Sequence, residues 1–191
     1  MTCIVAYKKD NKIYFGADSL GSTEYKKSNR RDQKLFYKDN MLIGFTSSFR
    51  MGNILQYKLE IPKHKSNIST NVYMNTIFID NVIKCFEDNK YISNVDSTIS
   101  GGTFLVGYKN RIFKIESDFQ VAEDYGNFSS CGSGEDIATG VMEGILKINK
   151  NIAPEKLIKI AIQIASKYIP SVGGPIHIKA IDKNGNLLNE F

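Results

Sequence analysis

Residues 2–19, Thr2-Cys3-Ile4-Val5-Ala6-Tyr7-Lys8-Lys9-Asp10-Asn11-Lys12-Ile13-Tyr14-Phe15-Gly16-Ala17-Asp18-Ser19, open with two β-rich runs around a polar turn. Lys9-Asp10-Asn11 is a turn composition, so the stretch predicts a β-hairpin. A turn centred near Asp10 pairs residues whose numbers sum to about 20 or 21, by the fixed register of short hairpins. Thr2 then lies opposite Asp18 or Ser19. A threonine at the start of one strand is thereby brought beside a carboxylate at the end of the next.

Outward from this hairpin the pattern repeats. Residues 34–38 (KLFYK) and 41–46 (MLIGFT) flank Asp39-Asn40 and predict a second hairpin with a two-residue loop. Leu35 then faces Gly44, and Lys34 faces Phe45. If the second hairpin lies beside the first in the sheet, Lys34 reaches both Thr2 and Asp18. Gly21–Arg31 between the hairpins reads as polar and irregular. Ser47 or Ser48 is a helix N-cap ahead of Phe49, Ile54 and Leu55. Asn71–Phe86 reads as a helix with Val72, Ile77 or Ile79, Val82, Ile83 and Phe86 on its apolar side. Thr103–Tyr108 and Arg111–Glu116 form a third hairpin around Lys109-Asn110, and residues 119–122 and 127–131 are further short strands. Gly132-Ser133-Gly134 breaks the pattern. Glu135–Ile148 is a helix, Pro154 opens another that runs to about Tyr168, and Pro170 stops it. Ile176–Ile181 is a strand, followed by a turn and a tail that pairs back. Runs of strands thus alternate with pairs of helices. Two antiparallel sheets stacked face to face, with a helix pair outside each, satisfy that order. The expected fold is α+β, a four-layer αββα sandwich formed as a single domain over residues 1–191.

Composition bounds the function classes. A chain of 191 residues fits the usual ~100–200 residues per domain, and a domain of this size buries roughly 70% of its unfolded surface without disulfides or metal. With 42% hydrophobic and 24% charged residues it is neither disordered nor low-complexity. Cys3, Cys85 and Cys131 are odd in number and widely spaced, so no disulfide framework or zinc motif is read. No metal or cofactor is expected. The start of the chain reads as a strand rather than a signal peptide, and no apolar run approaches ~18 residues. A cytoplasmic, non-membrane protein is expected. The net charge of +5 has one dense run, Lys26-Lys27-Ser28-Asn29-Arg30-Arg31 followed by Lys34. No interleaved aromatics accompany it, so it reads as a solvated loop rather than a nucleic-acid site.

Thr2, Asp18 and Lys34 have a chemical use together. A hydroxyl is a weak nucleophile and needs a base. With Met1 removed, Thr2 carries an α-amine of unperturbed pKa about 7.7–8.0, which can serve as that base. Lys34, held charged by Asp18, favours the deprotonated hydroxyl. Gly44 allows close approach of a substrate backbone and offers its N–H to an oxyanion. On spacing alone, the same residues also read as a strand threonine, a turn aspartate and a surface lysine.

TCIVAYKKDNKIYFGADS resembles the start of proteasome β subunits and of the HslV-type bacterial peptidase subunit. The family's threonine, acidic residue and lysine fall on Thr2, Asp18 and Lys34 without a gap. The resemblance continues through KLFYKDNMLIGFTSS, where the oxyanion-hole glycine matches Gly44. It resumes at GGTFLVGYKNRIFKI and SCGSGEDIATGVMEGIL, where the serine near the nucleophile matches Ser133. FTSSFRMG and GGTFLVGY are most similar to a smaller bacterial and phage branch of proteasome-like hydrolases. The resemblance implies the N-terminal-nucleophile hydrolase fold and a threonine-type peptidase or amidase acting through an acyl-enzyme. It further implies peptide or unfolded-protein substrates, a homo-oligomeric ring and an ATP-dependent unfoldase as a possible partner. The sequence departs from the family before the late Gly173-Gly174. Ile169 stands for an aspartate and Val172 for a serine, with Ser171 one position off and expected to matter little. Glu135 replaces a small residue, and Cys3 replaces a second threonine, its side chain expected to point away from Thr2. Two rival readings accompany this one: a catalytically silent ring-forming or partner-binding homologue, and a nucleic-acid or acidic-surface binder using the 26–34 basic loop.

Overall fold

Three two-residue turns set the frame of the molecule, a computed structural model that describes residues 2–23, 25–95 and 98–188. Asp10 and Asn11, Asp39 and Asn40, and Lys109 and Asn110 all have φ between 45° and 64°. Two successive left-handed residues make a type I′ turn, whose twist matches that of the strands it joins. The turns close three hairpins: Ile4–Lys9 with Lys12–Asp18, Leu35–Lys38 with Met41–Phe45, and Phe104–Tyr108 with Arg111–Ile115. The first hairpin pairs Ile4 with Ala17, a register that puts Cys3 level with Asp18; the second pairs Leu35 with Gly44.

These hairpins belong to two antiparallel sheets. One runs Phe128–Cys131, Ile4–Lys9, Lys12–Asp18, Ile176–Asp182; the other runs Val121–Ala122, Arg111–Ile115, Phe104–Tyr108, Met41–Phe45, Leu35–Lys38. Side chains alternate across a strand, and the core divides accordingly. Ile4, Ala6, Ile13, Phe15, Leu35, Leu42 and Leu105 fill the space between the sheets. Cys3, Val5 and Tyr7, from the same strand as Ile4 and Ala6 or just before it, face the helices Glu135–Ile148 and Pro154–Tyr168. Gly16 lets the second of these approach, since a Cβ there would lie 2.1 Å from Ile158 Cγ2. Outside the other sheet, Ile43, Phe104 and Phe113 pack against Phe49–Tyr57 and a longer helical rod. The order is helix, sheet, sheet, helix.

Three expectations need correction. The second hairpin is not beside the first in one sheet; it lies in the facing sheet, and Lys34 reaches across the layers. The stretch between the hairpins is not wholly irregular, because Leu20–Ser22 pairs with Lys27–Asn29 as a short ribbon. The rod is Thr70–Val72, a π-helical Tyr73–Phe78 and Ile79–Asp88 in succession. The wider π turn rotates the buried face, so Tyr73, Met74 and Phe78 are buried and Val72 is 53% exposed.

Candidate active site

Asp18 ends its strand fully buried, and four donors converge on it. Its Oδ1 accepts from Cys3 N–H at 2.9 Å and from Lys34 Nζ at 3.0 Å. Its Oδ2 accepts from Leu20 N–H at 3.2 Å and Gly173 N–H at 3.1 Å. A carboxylate accepts about four hydrogen bonds at most, so its capacity is used. Gly173 also accepts, through its carbonyl, from Ser19 N–H and Leu20 N–H. The late glycine pair and the first hairpin are therefore locked together around one carboxylate.

Lys34 is 1% exposed. Besides Asp18 it donates to Leu20 O at 2.8 Å. Burial pushes its pKa below 10.5, and the adjacent Asp18 opposes that shift without reversing it. A buried lysine of lowered pKa on a cavity wall is a chemical feature as much as a structural one.

Thr2 is buried just before the neighbouring strand Ile4–Lys9. Its backbone nitrogen, which holds the place an α-amine would take after loss of Met1, donates to Ser133 Oγ at 3.2 Å. Ser133 Oγ lies 3.1 Å from Ser171 Oγ and 3.3 Å from Thr2 O. Gly134 N–H donates to Thr2 O at 3.2 Å. Gly132 has φ 99°, and a Cβ on it would lie 2.3 Å from Thr2 O. Only glycine satisfies both the backbone conformation and that approach. Gly132-Ser133-Gly134, a break in pattern at the sequence level, is thus a grip on the Thr2 backbone.

Thr2 and Lys34 line one cavity of about 390 Å³ together with Lys26, Lys27, Arg30, Phe45, Thr46, Ser47 and Phe49. A second depression, of about 400 Å³, shares Thr46 and Ser47 and is lined by Ser133, Glu116 and Glu135. Of the five residues expected at the site, Thr2, Asp18, Lys34 and Ser133 are brought together. Gly44 is not. It sits in mid-strand between Leu35 and Leu105, and a Cβ there would lie 2.7 Å from Ile4 Cγ2 and 2.8 Å from Leu35 Cδ2. Its smallness serves the closing of the two sheets.

The backbone that does reach the cavity is Phe45–Ser48. Phe45 N–H is taken by Lys34 O, Thr46 N–H by Thr103 O and Ser48 N–H by Thr46 O. Ser47 N–H has no partner among the described residues, and Ser47 has φ 59°. A non-glycine residue there is strained by roughly 1–3 kcal/mol, a kind of strain that clusters at functional sites. No sequence signal marks this position. Ser171 is displaced by one from the expected serine position, yet its hydroxyl meets Ser133. Val172 is buried against the helix layer instead. The Cys3 side chain is fully buried on the helix side, and burial, followed by Asp18, pushes its thiol up to about 12. That is no nucleophile at neutral pH.

No protein-family model and no curated protein matches the chain. Solved structures do. BPH from Thiobacillus denitrificans superposes with a TM-score of 0.78 at 16% identity, over 96% of this chain and 100% of that one. The same protein is known in complex with epoxomicin, at the same TM-score and identity over 94% and 98%. HslV from Trypanosoma brucei gives 0.69 at 15% identity, over 94% and 99%. Anbu, an ancestral β-subunit, from Yersinia bercovieri gives 0.70 at 13% identity, over 100% and 86%. The chain has the α+β fold of these proteasome-like proteins. No helix among the described residues is long and apolar enough to cross a membrane.

Proposed function

We propose that the protein is an N-terminal threonine peptidase or amidase that becomes active once Met1 is removed. The observation that supports it most is Thr2 nitrogen on Ser133 Oγ with Thr2 and Lys34 on one cavity wall. The α-amine takes the Thr2 hydroxyl proton as Oγ1 adds to the substrate carbonyl carbon. Lys34, kept cationic by Asp18, stabilises the developing negative charge on Oγ1. Ser47 N–H, rather than Gly44 N–H, is the backbone donor suited to the oxyanion. Collapse of the tetrahedral adduct breaks the C–N bond, and the amine's proton passes to the leaving nitrogen. The product is an ester on Thr2. Water then adds to the ester, its proton passing to the amine, and the acid is released as Oγ1 recovers a proton. Ser133 and Ser171 orient the amine through both transfers.

Intact-mass spectrometry followed by hydrolysis of short fluorogenic peptides tests this. Protein freed of Met1 turns over, protein with Met1 attached does not, Thr2→Ala is inactive while folded, and Thr2→Ser retains part of the rate. Wild-type turnover by Thr2→Ala refutes the threonine mechanism. Epoxomicin, bound by the T. denitrificans protein, is expected to inhibit the same turnover. A homo-oligomer fed with unfolded chains by an ATP-dependent partner belongs to the same proposal.

A further inference from the structure

The cavity beside Thr2 has an uneven lining. Lys26, Lys27, Arg30 and Lys34 all face it, and no carboxylate does among the described residues. Two of these cations are committed: Lys34 to Asp18, and Arg30 to a bidentate pair with Asp32 while its guanidinium stacks 3.9 Å over Phe49. Lys26 and Lys27 form no ion pair among the described residues. They stand at the open side of the cavity, on the ribbon strand Lys27–Asn29 and the residue before it. The basic run that reads as a solvated loop in the sequence thus lines the cavity that Thr2 also lines.

The second depression carries the opposite sign. Glu116 and Glu135 line it, and both bind the one cation between them, Lys114. Two carboxylates against one ammonium leave an excess of negative charge. The two depressions meet at Thr46 and Ser47.

Which half of a substrate enters which depression follows from the proton path. The leaving nitrogen receives its proton from the Thr2 amine, which rests on Ser133. Ser133 lines the second depression, so the leaving half lies there. The acyl half, with the side chain next to the attacked carbonyl, extends into the cationic cavity.

We propose, resting on the peptidase reading, that this cavity is a subsite for an acidic side chain on the acyl side of the cleaved bond, so that the protein cuts after glutamate or aspartate. The negative depression on the other side disfavours an acid in the leaving half and tolerates a base. The discrimination is electrostatic and partly exposed, so it weakens with salt.

The experiment uses two peptides of one composition, with a central Glu-Lys or Lys-Glu, cleaved by Met1-free protein and read by mass spectrometry. The expected result is cleavage after Glu, with kcat/KM for the Glu-Lys peptide higher by about tenfold, the size two partly screened ion pairs give. The ratio shrinks between low and high salt, and Lys26→Glu with Lys27→Glu together inverts it. Both side chains are exposed, Lys27 at the first position of the short ribbon strand, so the variant is expected to fold; a melting curve verifies this. Equal cleavage of the two peptides, or preference for Lys-Glu, overturns the acidic subsite and leaves the peptidase reading standing. No cleavage of any peptide by Met1-free protein overturns both. Salt-sensitive retention of an oligonucleotide that is lost in the charge-reversed variant, without peptide cleavage, assigns these lysines to nucleic acid instead.

Discussion

Lys34 is where burial and charge conflict, and the conflict has a pH signature. Burial lowers its pKa from 10.5, so it loses its proton earlier than a free lysine. The proposed base, the Thr2 amine, must be unprotonated and has an unperturbed pKa of about 7.7–8.0. Activity is therefore expected to rise through that range as the amine becomes neutral and to fall again below pH 10.5 as Lys34 discharges. In Lys34→Arg the cation cannot discharge, so the falling limb of a pH–rate profile disappears even if the maximum is lower. A falling limb that survives in Lys34→Arg assigns it to another group. Ser171 makes the second residue-scale case. Its offset from the family's serine position argues against a role, but its hydroxyl is 3.1 Å from Ser133 Oγ. Ser171→Ala removes one hydrogen-bond partner of Ser133 and is expected to lower kcat on the order of tenfold, about the worth of one hydrogen bond. An unchanged kcat, with the fold intact, leaves Ser171 a packing role alone.

Gly132 and Gly140 test the local elements against each other. Gly132 sits at φ 99° against Thr2 O, whereas Gly140 lies on an open helix face, where an added Cβ would meet nothing within 4 Å. Gly132→Ala is expected to destabilise by more than ~1 kcal/mol, because the native conformation is closed to alanine, and to displace Thr2 and depress turnover. Gly140→Ala is expected to stabilise by roughly 0.5–1 kcal/mol, the helix-interior difference between the two residues. Denaturant midpoints measure both; equal shifts would refute the contrast. The elements also show what is legible from sequence. The hairpins are readable because Asp10-Asn11, Asp39-Asn40 and Lys109-Asn110 tolerate left-handed φ and sit between apolar runs. The Pro154 helix is readable because proline fits a first turn. In the 70–88 rod Ile79, Val82 and Phe86 are buried as the periodicity expects, but the first turns are not readable, since a periodicity of 3.6 cannot anticipate the π turn that buries Tyr73 and exposes Val72. Nor is the Leu20–Ser22 ribbon, whose exposed partner Lys27-Ser28-Asn29 carries no apolar alternation. At the site, Thr2, Asp18 and Lys34 are visible as types at matching spacing. Ser47 is invisible because its left-handed φ is imposed by tertiary context, and Gly44 misleads because a glycine that closes two sheets looks the same in sequence as one that admits a ligand.

The whole molecule is two sheet-and-helix halves, and the Asp18–Lys34 pair ties them at the site. Asp18 ends a strand of one sheet, and Lys34 immediately precedes a strand of the other. Both side chains are essentially unexposed, at 0% and 1%. A charge buried this deeply is tolerated only while its partner remains. Asp18→Asn leaves the ammonium without a carboxylate, and Lys34→Met leaves the carboxylate without an ammonium. Each single change is expected to cost ~3–5 kcal/mol of stability. The double variant removes both charges together, and an asparagine still accepts from and donates to some of the surrounding backbone. It is therefore expected to be more stable than the sum of the two losses predicts, by a coupling of about 1–3 kcal/mol. Chemical denaturation with matched slopes measures all four corners of the cycle. Additive losses would mean that the two charges are held independently, one by the Cys3, Leu20 and Gly173 amides and the other by Leu20 O. The double variant has neither the Lys34 cation on the cavity wall nor its counter-ion, so its turnover is expected to stay lost while its stability loss is smaller than the sum of the two single losses. That separation distinguishes the pair's part in chemistry from its part in stability: the coupling measures what the two charges give each other, and the lost turnover measures what the cation gives the cavity.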